Sequence, residues 1–245
     1  VVSAQHNDAD SVDRAIRTWR KAGGRGAPWI VVESLYSMDG DRAPLSDLIR
    51  IADSNEGFLY IDEAHATGVH GIGGRGYAAS LEGRDNVIVL HTCGKALGVA
   101  GALLGANRTI HDFLVNRARP FIYATAPSPV QAAGVREALA ILSDEPERRA
   151  DLHHLVEFAN ALFAERLGRV GSGTQILPVI ARENGRALRI AERMQRDGFD
   201  IRAIRPPTVP AGTARLRIAI TLNVDKPTVA RMIERLADAL AEETA

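Results

Sequence analysis

Asp62 and His65 stand three residues apart in DEAHATGVHGIGGRG (62–76), directly after the apolar run GFLYI. A carboxylate ending a buried strand can hold a proton on a facing heterocycle, and an imidazole just beyond it can reach the same ligand's edge. Taken alone, the two residues read more readily as a helix cap and a solvated loop histidine, since polar strand ends are common on parallel sheets, and the glycines that follow ask only for tight turns. The second chemical element is Lys95 in HTCGKALG (91–98), also past an apolar strand and set between Gly94 and Gly98. A lysine in a dry crevice has its charged form penalised, so its amine becomes available to form an imine, and the glycines would allow close backbone approach. The bland alternative is a lysine snorkelling from a loop. Lys95 follows Asp62 by 33 positions, about one strand–helix–strand unit, so the two side chains can emerge from nearby strands at one sheet edge.

The elements that must position these residues are legible as apolar runs. Trp29–Ser34 (WIVVES), Gly57–Asp62 (GFLYID), Asn86–Thr92 (NVIVLHT) and Gly101–Ala106 (GALLGA) read as short strands, and PLSDLIRIADSN has helical spacing at Leu45, Leu48, Ile49 and Ala52. The opening VVSAQHND reads as a strand running into a loop. Strands alternating with helices imply an α/β fold with a mostly parallel sheet covered on both faces, whose ligand crevice lies beyond the strands' carboxyl ends. A helical pattern after Pro127 breaks at Asp144–Pro146, which divides a large domain, 1–143, from a smaller α+β domain, 144–245. The smaller domain is expected to hold a strand at Thr174–Ile180, a helix at Arg186–Arg196, extended segments at Asp200–Arg205 and Arg215–Thr221, and a helix at Lys226–Glu242.

Composition bounds the chemistry. With 245 residues, 46% hydrophobic and 24% charged, the chain can bury a core, and 30 basic residues balance 30 acidic ones, so nothing advertises a nucleic-acid or anionic-membrane partner. One cysteine, Cys93, excludes an internal disulfide and a thiolate metal cage and fits a reducing, cytoplasmic setting. The apolar runs are too short to cross a bilayer, and the opening residues lack a secretion signal's pattern. The first residue is Val1 rather than Met, as expected of a piece of a longer protein.

An imine-forming lysine and a carboxylate for a ring nitrogen are the pair that pyridoxal phosphate chemistry requires, because the protonated pyridine accepts electrons from a carbanion beside the imine. SMDGDRAPL (37–45), DEAHATGVHGIGGRG (62–76), HTCGKALG (91–98), RPFIYATAPSP (119–129) and IRPPTVPAGTARLRI (204–218) together resemble the C-terminal portion of the 8-amino-7-oxononanoate synthases. These are α-oxoamine synthases within the fold-type I pyridoxal-phosphate enzymes. The resemblance implies Lys95 as the Schiff-base lysine, Asp62 as the pyridinium partner and His65 beside the cofactor's phenolic oxygen. It further implies Ser37 near that oxygen, Thr92 at the phosphate, and Thr125 reaching the phosphate of a neighbouring subunit, hence a homodimer with a shared site. In the smaller domain it implies substrate roles for Thr208, presented by a stiff extended RPPTVP segment, and for Arg217 as the amino-acid carboxylate ligand. Arg215 and Arg217 alternate along ARLRI and so share one face, with Arg215 a candidate salt-bridge partner.

The activity so implied is decarboxylative condensation of L-alanine with pimeloyl-CoA, or its acyl-carrier-protein equivalent, in biotin synthesis. Three rivals stand beside it. A sister α-oxoamine synthase, of the glycine C-acetyltransferase or serine palmitoyltransferase type, would use the same Lys95, Asp62 and His65, although PPTVPAGTARLR favours the oxononanoate member. A dinucleotide-binding dehydrogenase would need GIGGRG (71–76) to open a helix. A truncated, non-catalytic relative is the third, since family members carry an N-terminal region with a ring-stacking histidine, a glycine-containing phosphate turn and an entrance arginine that have no match here. This chain alone is therefore expected to bind pyridoxal phosphate weakly or not at all.

Overall fold

The computed structural model describes residues 1–243. The chain groups into two units: Val1–Leu35 with Arg42–Pro146, and Tyr36–Asp41 with Glu147 onward. The sequence reading divides the chain at 143/144, whereas this grouping falls after Pro146 and gives the short segment Tyr36–Asp41, with Ser37 in it, to the second unit.

In the first unit the apolar runs become β1 (Trp29–Glu33), β2 (Phe58–Asp62) and β3 (Val87–Thr92), paired in parallel, with β4 (Ala102–Gly105) antiparallel on β3. The expected mostly parallel sheet is present. Register places Glu33 beside Asp62, and Asp62 beside Leu90, so the acid closes the middle strand at its carboxyl end. Leu59, Ile61, Val87 and Val89 are buried in the sheet, and α2 (Leu45–Ser54) covers it with Leu48, Ile49 and Ala52 at helical spacing. β4 departs from the expectation of a covered strand, because all four of its residues are exposed. The helices α3 (Arg108–Arg117), α4 (Arg119–Ile122) and α5 (Pro129–Asp144) likewise bury none of their residues.

The opening VVSAQHND is not a strand. Val1 and Val2 are exposed, and Asp8 instead caps α1 (Ala9–Lys21) by accepting a hydrogen bond from Ser11 N. A strand needs a neighbour's backbone to pair with, and here the local side-chain bond at the helix start prevails.

The second unit packs α6 (Pro146–Leu167), α7 (Asn184–Arg196) and α8 (Lys226–Glu242) with an antiparallel sheet of β5 (Ile176–Arg182), β6 (Arg202–Ile204) and β7 (Ala214–Ala219), in the order β5-β7-β6. Phe163, Leu177, Ile190, Met194, Leu216, Ile233 and Leu236 form its core. The RPPTVP segment is not extended. It turns at Pro206–Pro207, a cis peptide, and Thr208 N donates to Arg205 O at 3.0 Å, leaving Thr208 exposed.

Tyr77 of the first unit carries a testable consequence of burial. Desolvation pushes its phenol up to about 12, and the Arg42 guanidinium, 4.3 Å from the ring centroid, offsets this only in part. An unfolded tyrosine ionises near 10, so the contribution of the neutral phenol to folding is complete below about pH 10 and is lost as the pH rises toward 12. Alkaline titration by phenolate absorbance should show one tyrosine ionising late, and Tyr77→Phe should remove that step and reduce the fall in stability above about pH 10.

Candidate active site

The lysine is set by backbone bonds that close the loop after β3. Cys93 N donates to Gly101 O at 2.9 Å, Val99 N to Cys93 O at 2.9 Å and Gly98 N to Lys95 O at 3.0 Å. Gly98 has φ +64°, a left-handed conformation that disfavours any residue with a Cβ, so this turn is the reason for the glycine. Open space surrounds the position of a Cβ at Gly98, and at Gly94 only Thr92 Oγ1 lies near, at 3.9 Å, so close approach of protein backbone is not what these glycines serve. Lys95 itself is exposed. The expectation of a dry crevice is thus corrected, because the loop carries the lysine past the strand end into solvent.

The acid and the histidine sit on the turn after β2. Asp62 is half-buried, and its Oδ1 accepts from Ala64 N at 2.8 Å, which fixes the carboxylate against its own turn. Glu63 N continues the sheet ladder to Leu90 O at 2.8 Å, and Glu63 O accepts from Ala66 N at 3.0 Å and Thr67 N at 2.8 Å, winding the chain into one helical turn that presents His65. His65 Nε2 lies 2.8 Å from Lys95 Nζ. A hydrogen bond between two basic nitrogens requires one to accept, so only one of the facing positions carries the shared proton. Two residues 30 positions apart in sequence are thereby brought together at the carboxyl ends of adjacent parallel strands, beside Asp62.

The other candidates fall as follows. Thr92 ends β3, half-buried, and Thr125 is exposed on the connection between α4 and α5. In the second unit Arg217 Nε donates to Ser37 O at 2.6 Å. Arg215, 6% exposed at its side chain, donates to Met38 O at 3.2 Å and to Thr213 O at 3.1 Å and pairs with Asp39. The two arginines on one face of β7 therefore grip the same segment, 36–41, which explains why that piece of chain groups with the second unit.

Around the turn lies a network that the motifs did not reveal. Glu63 is fully buried, accepting from Ser34 Oγ at 2.6 Å and from Ala78 N. Burial pushes its carboxyl up, while the bonds from Ser34 and from the backbone of Ala78 and Tyr77 pull it back. Thr67 Oγ1 donates to Glu63 O at 2.8 Å and so accepts from His91 Nδ1, also at 2.8 Å, and His91 Nε2 faces Glu82 Oε1 at 2.9 Å. The only sequence signal for this network was an acidic residue next to the assigned acid. The GIGGRG loop ends with Gly76 against Glu63 and is followed by turns rather than a helix, which removes the dinucleotide-cradle reading.

Known proteins bear on these residues in three ways. The family model for aminotransferase class I and II matches residues 2–236. An 8-amino-7-oxononanoate synthase of Cupriavidus pinatubonensis is 40% identical over 222 residues, 87% of this chain and 54% of the relative. One from Anaeromyxobacter dehalogenans is 43% identical over 216 residues, 86% of this chain and again 54% of the relative. The chain thus spans about half the length of the relatives it matches. Among solved structures, a serine palmitoyltransferase from S. paucimobilis bearing PLP and myriocin has TM-score 0.89 at 23% identity, covering 99% of this chain and 61% of that one. An 8-amino-7-oxononanoate synthase from Francisella tularensis has TM-score 0.76 at 23% identity, covering 94% and 68%. These likenesses show the fold, which is that expected of a fold-type I large domain joined to a smaller one, and the family match extends over nearly all of the sequence: the chain belongs to the class I and II aminotransferase family.

Proposed function

We propose that this chain supplies the lysine-bearing part of a pyridoxal-phosphate-dependent α-oxoamine synthase that condenses L-alanine with pimeloyl-CoA, or its acyl-carrier-protein equivalent, to 8-amino-7-oxononanoate in biotin synthesis. The observation that carries the reading is the 2.8 Å approach of His65 Nε2 to Lys95 Nζ on the turn that holds Asp62, in a chain 40–43% identical to enzymes of that name. The residues present fit the cofactor: an accessible primary amine, a carboxylate held by its own turn, and an imidazole within reach of the amine. When bound, the cofactor supplies an electron sink for the substrate's α-carbon.

The protein's own groups account for the rest. Asp62 would hold a proton at the ring nitrogen, and its bond from Ala64 N fixes the carboxylate on its turn. His65 would exchange a proton with Lys95 Nζ, whose amine would take and return the substrate's α-proton. On the resemblance, Ser37 and Thr92 hold the cofactor's oxygens, Arg217 and Thr208 hold the substrate, and Thr125 serves the neighbouring subunit of a homodimer. No described helix is long and apolar enough to cross a membrane, and the cytoplasmic setting belongs to this proposal.

The chain has only three lysines, Lys21, Lys95 and Lys226, which makes a selective test available. Incubation with excess pyridoxal phosphate, borohydride reduction and peptide mapping should label Lys95 at least about 10-fold faster than the other two, even where overall affinity is weak. Equal labelling of all three would overturn the reading. Assays of the full-length protein with alanine, glycine and serine against acetyl-, pimeloyl- and palmitoyl-CoA then separate the sister activities, and a preference for glycine would reject the oxononanoate assignment.

A further inference from the structure

Glu63 touches neither Lys95 nor His65 in the contacts described above, yet it is an acid with no exposed surface, a placement that needs a reason. Glu63 follows directly on β2 and its N–H continues the ladder, so its side chain turns to the face opposite that of Asp62. Inside, Ser34 from the end of β1 donates to Oε2, and Ala78 N from beyond the glycine loop donates to Oε1. The glycine loop comes close against this carboxylate. Gly76 has φ +86°, and a Cβ there would stand 2.3 Å from Glu63 Oε2. The same residue's backbone is the hub of the His65 turn, with its N on Leu90 O and its O accepting from Ala66 N, Thr67 N and Thr67 Oγ1.

We propose that Glu63 is a positioning residue: its carboxylate, clamped by Ser34 and Ala78 in a pocket kept open by Gly76, fixes the turn that aims His65 Nε2 at Lys95 Nζ. One residue thereby couples the ends of β1, β2 and β3 to the glycine loop. The functional part of this inference rests on the reading of Lys95 as the cofactor's attachment point.

The test uses the same labelling, with hydrogen exchange at the Ala66 and Thr67 amides as a second readout that needs no cofactor. Glu63→Gln keeps the shape and an acceptor for Ala78 N, and should hold the Lys95-to-Lys21 labelling ratio within about 3-fold of the parent; Glu63→Ala should lower it by about 10-fold and speed exchange at both amides. Ser34→Ala, which removes one clamp and leaves the carboxylate, should fall between them and guards against the alanine variant failing to fold. If Ser34→Ala and a folded Glu63→Ala keep both the labelling ratio and the amide protection of the parent, Glu63 is only a core filler and the proposal is overturned. If the parent itself shows no preference for Lys95, the cofactor reading fails, while faster exchange at Ala66 and Thr67 in the variants still supports the clamp, and unchanged exchange rejects it.

Discussion

Lys95→Arg should reduce pyridoxal labelling at position 95 to background, a loss of at least about 100-fold, without measurable change in folding. Arginine keeps the positive charge and nearly the reach of lysine, but its guanidinium stays protonated and offers no nucleophilic amine. The fold should tolerate it because Lys95 is exposed and backbone bonds close the loop that carries it, from Gly98 N to Lys95 O, Val99 N to Cys93 O and Cys93 N to Gly101 O. The stability change should stay within about 0.5 kcal/mol, as for other surface substitutions. Charge at the site is retained, so a lost label reports the amine and not a lost electrostatic attraction for the phosphate. His65→Ala should act in the same direction but less strongly, since it removes the neighbour that shares the proton at 2.8 Å and leaves the nucleophile in place. Labelling of the arginine variant at the parent's total rate would place the reactive amine at Lys21, Lys226 or the N-terminus and remove Lys95 from the centre of the proposal.

What the sequence made legible is what short-range patterns encode. The apolar runs ending in Asp62 and Thr92 became β2 and β3, and Pro146 marked the start of α6, because strand burial and helix breaking are decided within a few residues. The alternation of Arg215 and Arg217 announced a shared face, and both arginines lie on the segment 36–41. What stayed hidden depended on partners far along the chain. That Ser37 would group with the second unit, that Glu63 would be buried against Ser34 and Ala78, and that Lys95 would stand in solvent are all long-range outcomes. The strand reading of VVSAQHND failed for a local reason, since Asp8 followed by Ser11 is a helix-start signal that outweighs two valines. The prolines of RPPTVP pointed to stiffness, but stiffness does not choose between an extended path and the turn found at Pro206–Pro207.

Phe163→Ala should lower the stability of the second unit by about 3–5 kcal/mol, a large share of what holds any small domain together. The ring is 1% exposed and belongs to the cluster formed with Leu177, Ile190, Met194, Leu216, Ile233 and Leu236, so its removal both forfeits apolar burial and leaves a void that its close-packed neighbours cannot fill. Phe163→Leu, which keeps most of the volume, should cost less than about half as much. Leu216 in that cluster lies between Arg215 and Arg217 on β7, so softening the core loosens the strand from which both arginines hold Ser37, Met38 and Asp39. Tryptophan fluorescence is blind to this unit, because Trp19 and Trp29 both belong to the first. Hydrogen exchange on β5 and β7 reads it instead: amides that open only with global unfolding of the unit should exchange at least about 100-fold faster in the alanine variant, as a loss of about 3 kcal/mol requires. Unchanged protection there would mean that the sheet is held without the ring, and that the grip on segment 36–41 does not depend on this core.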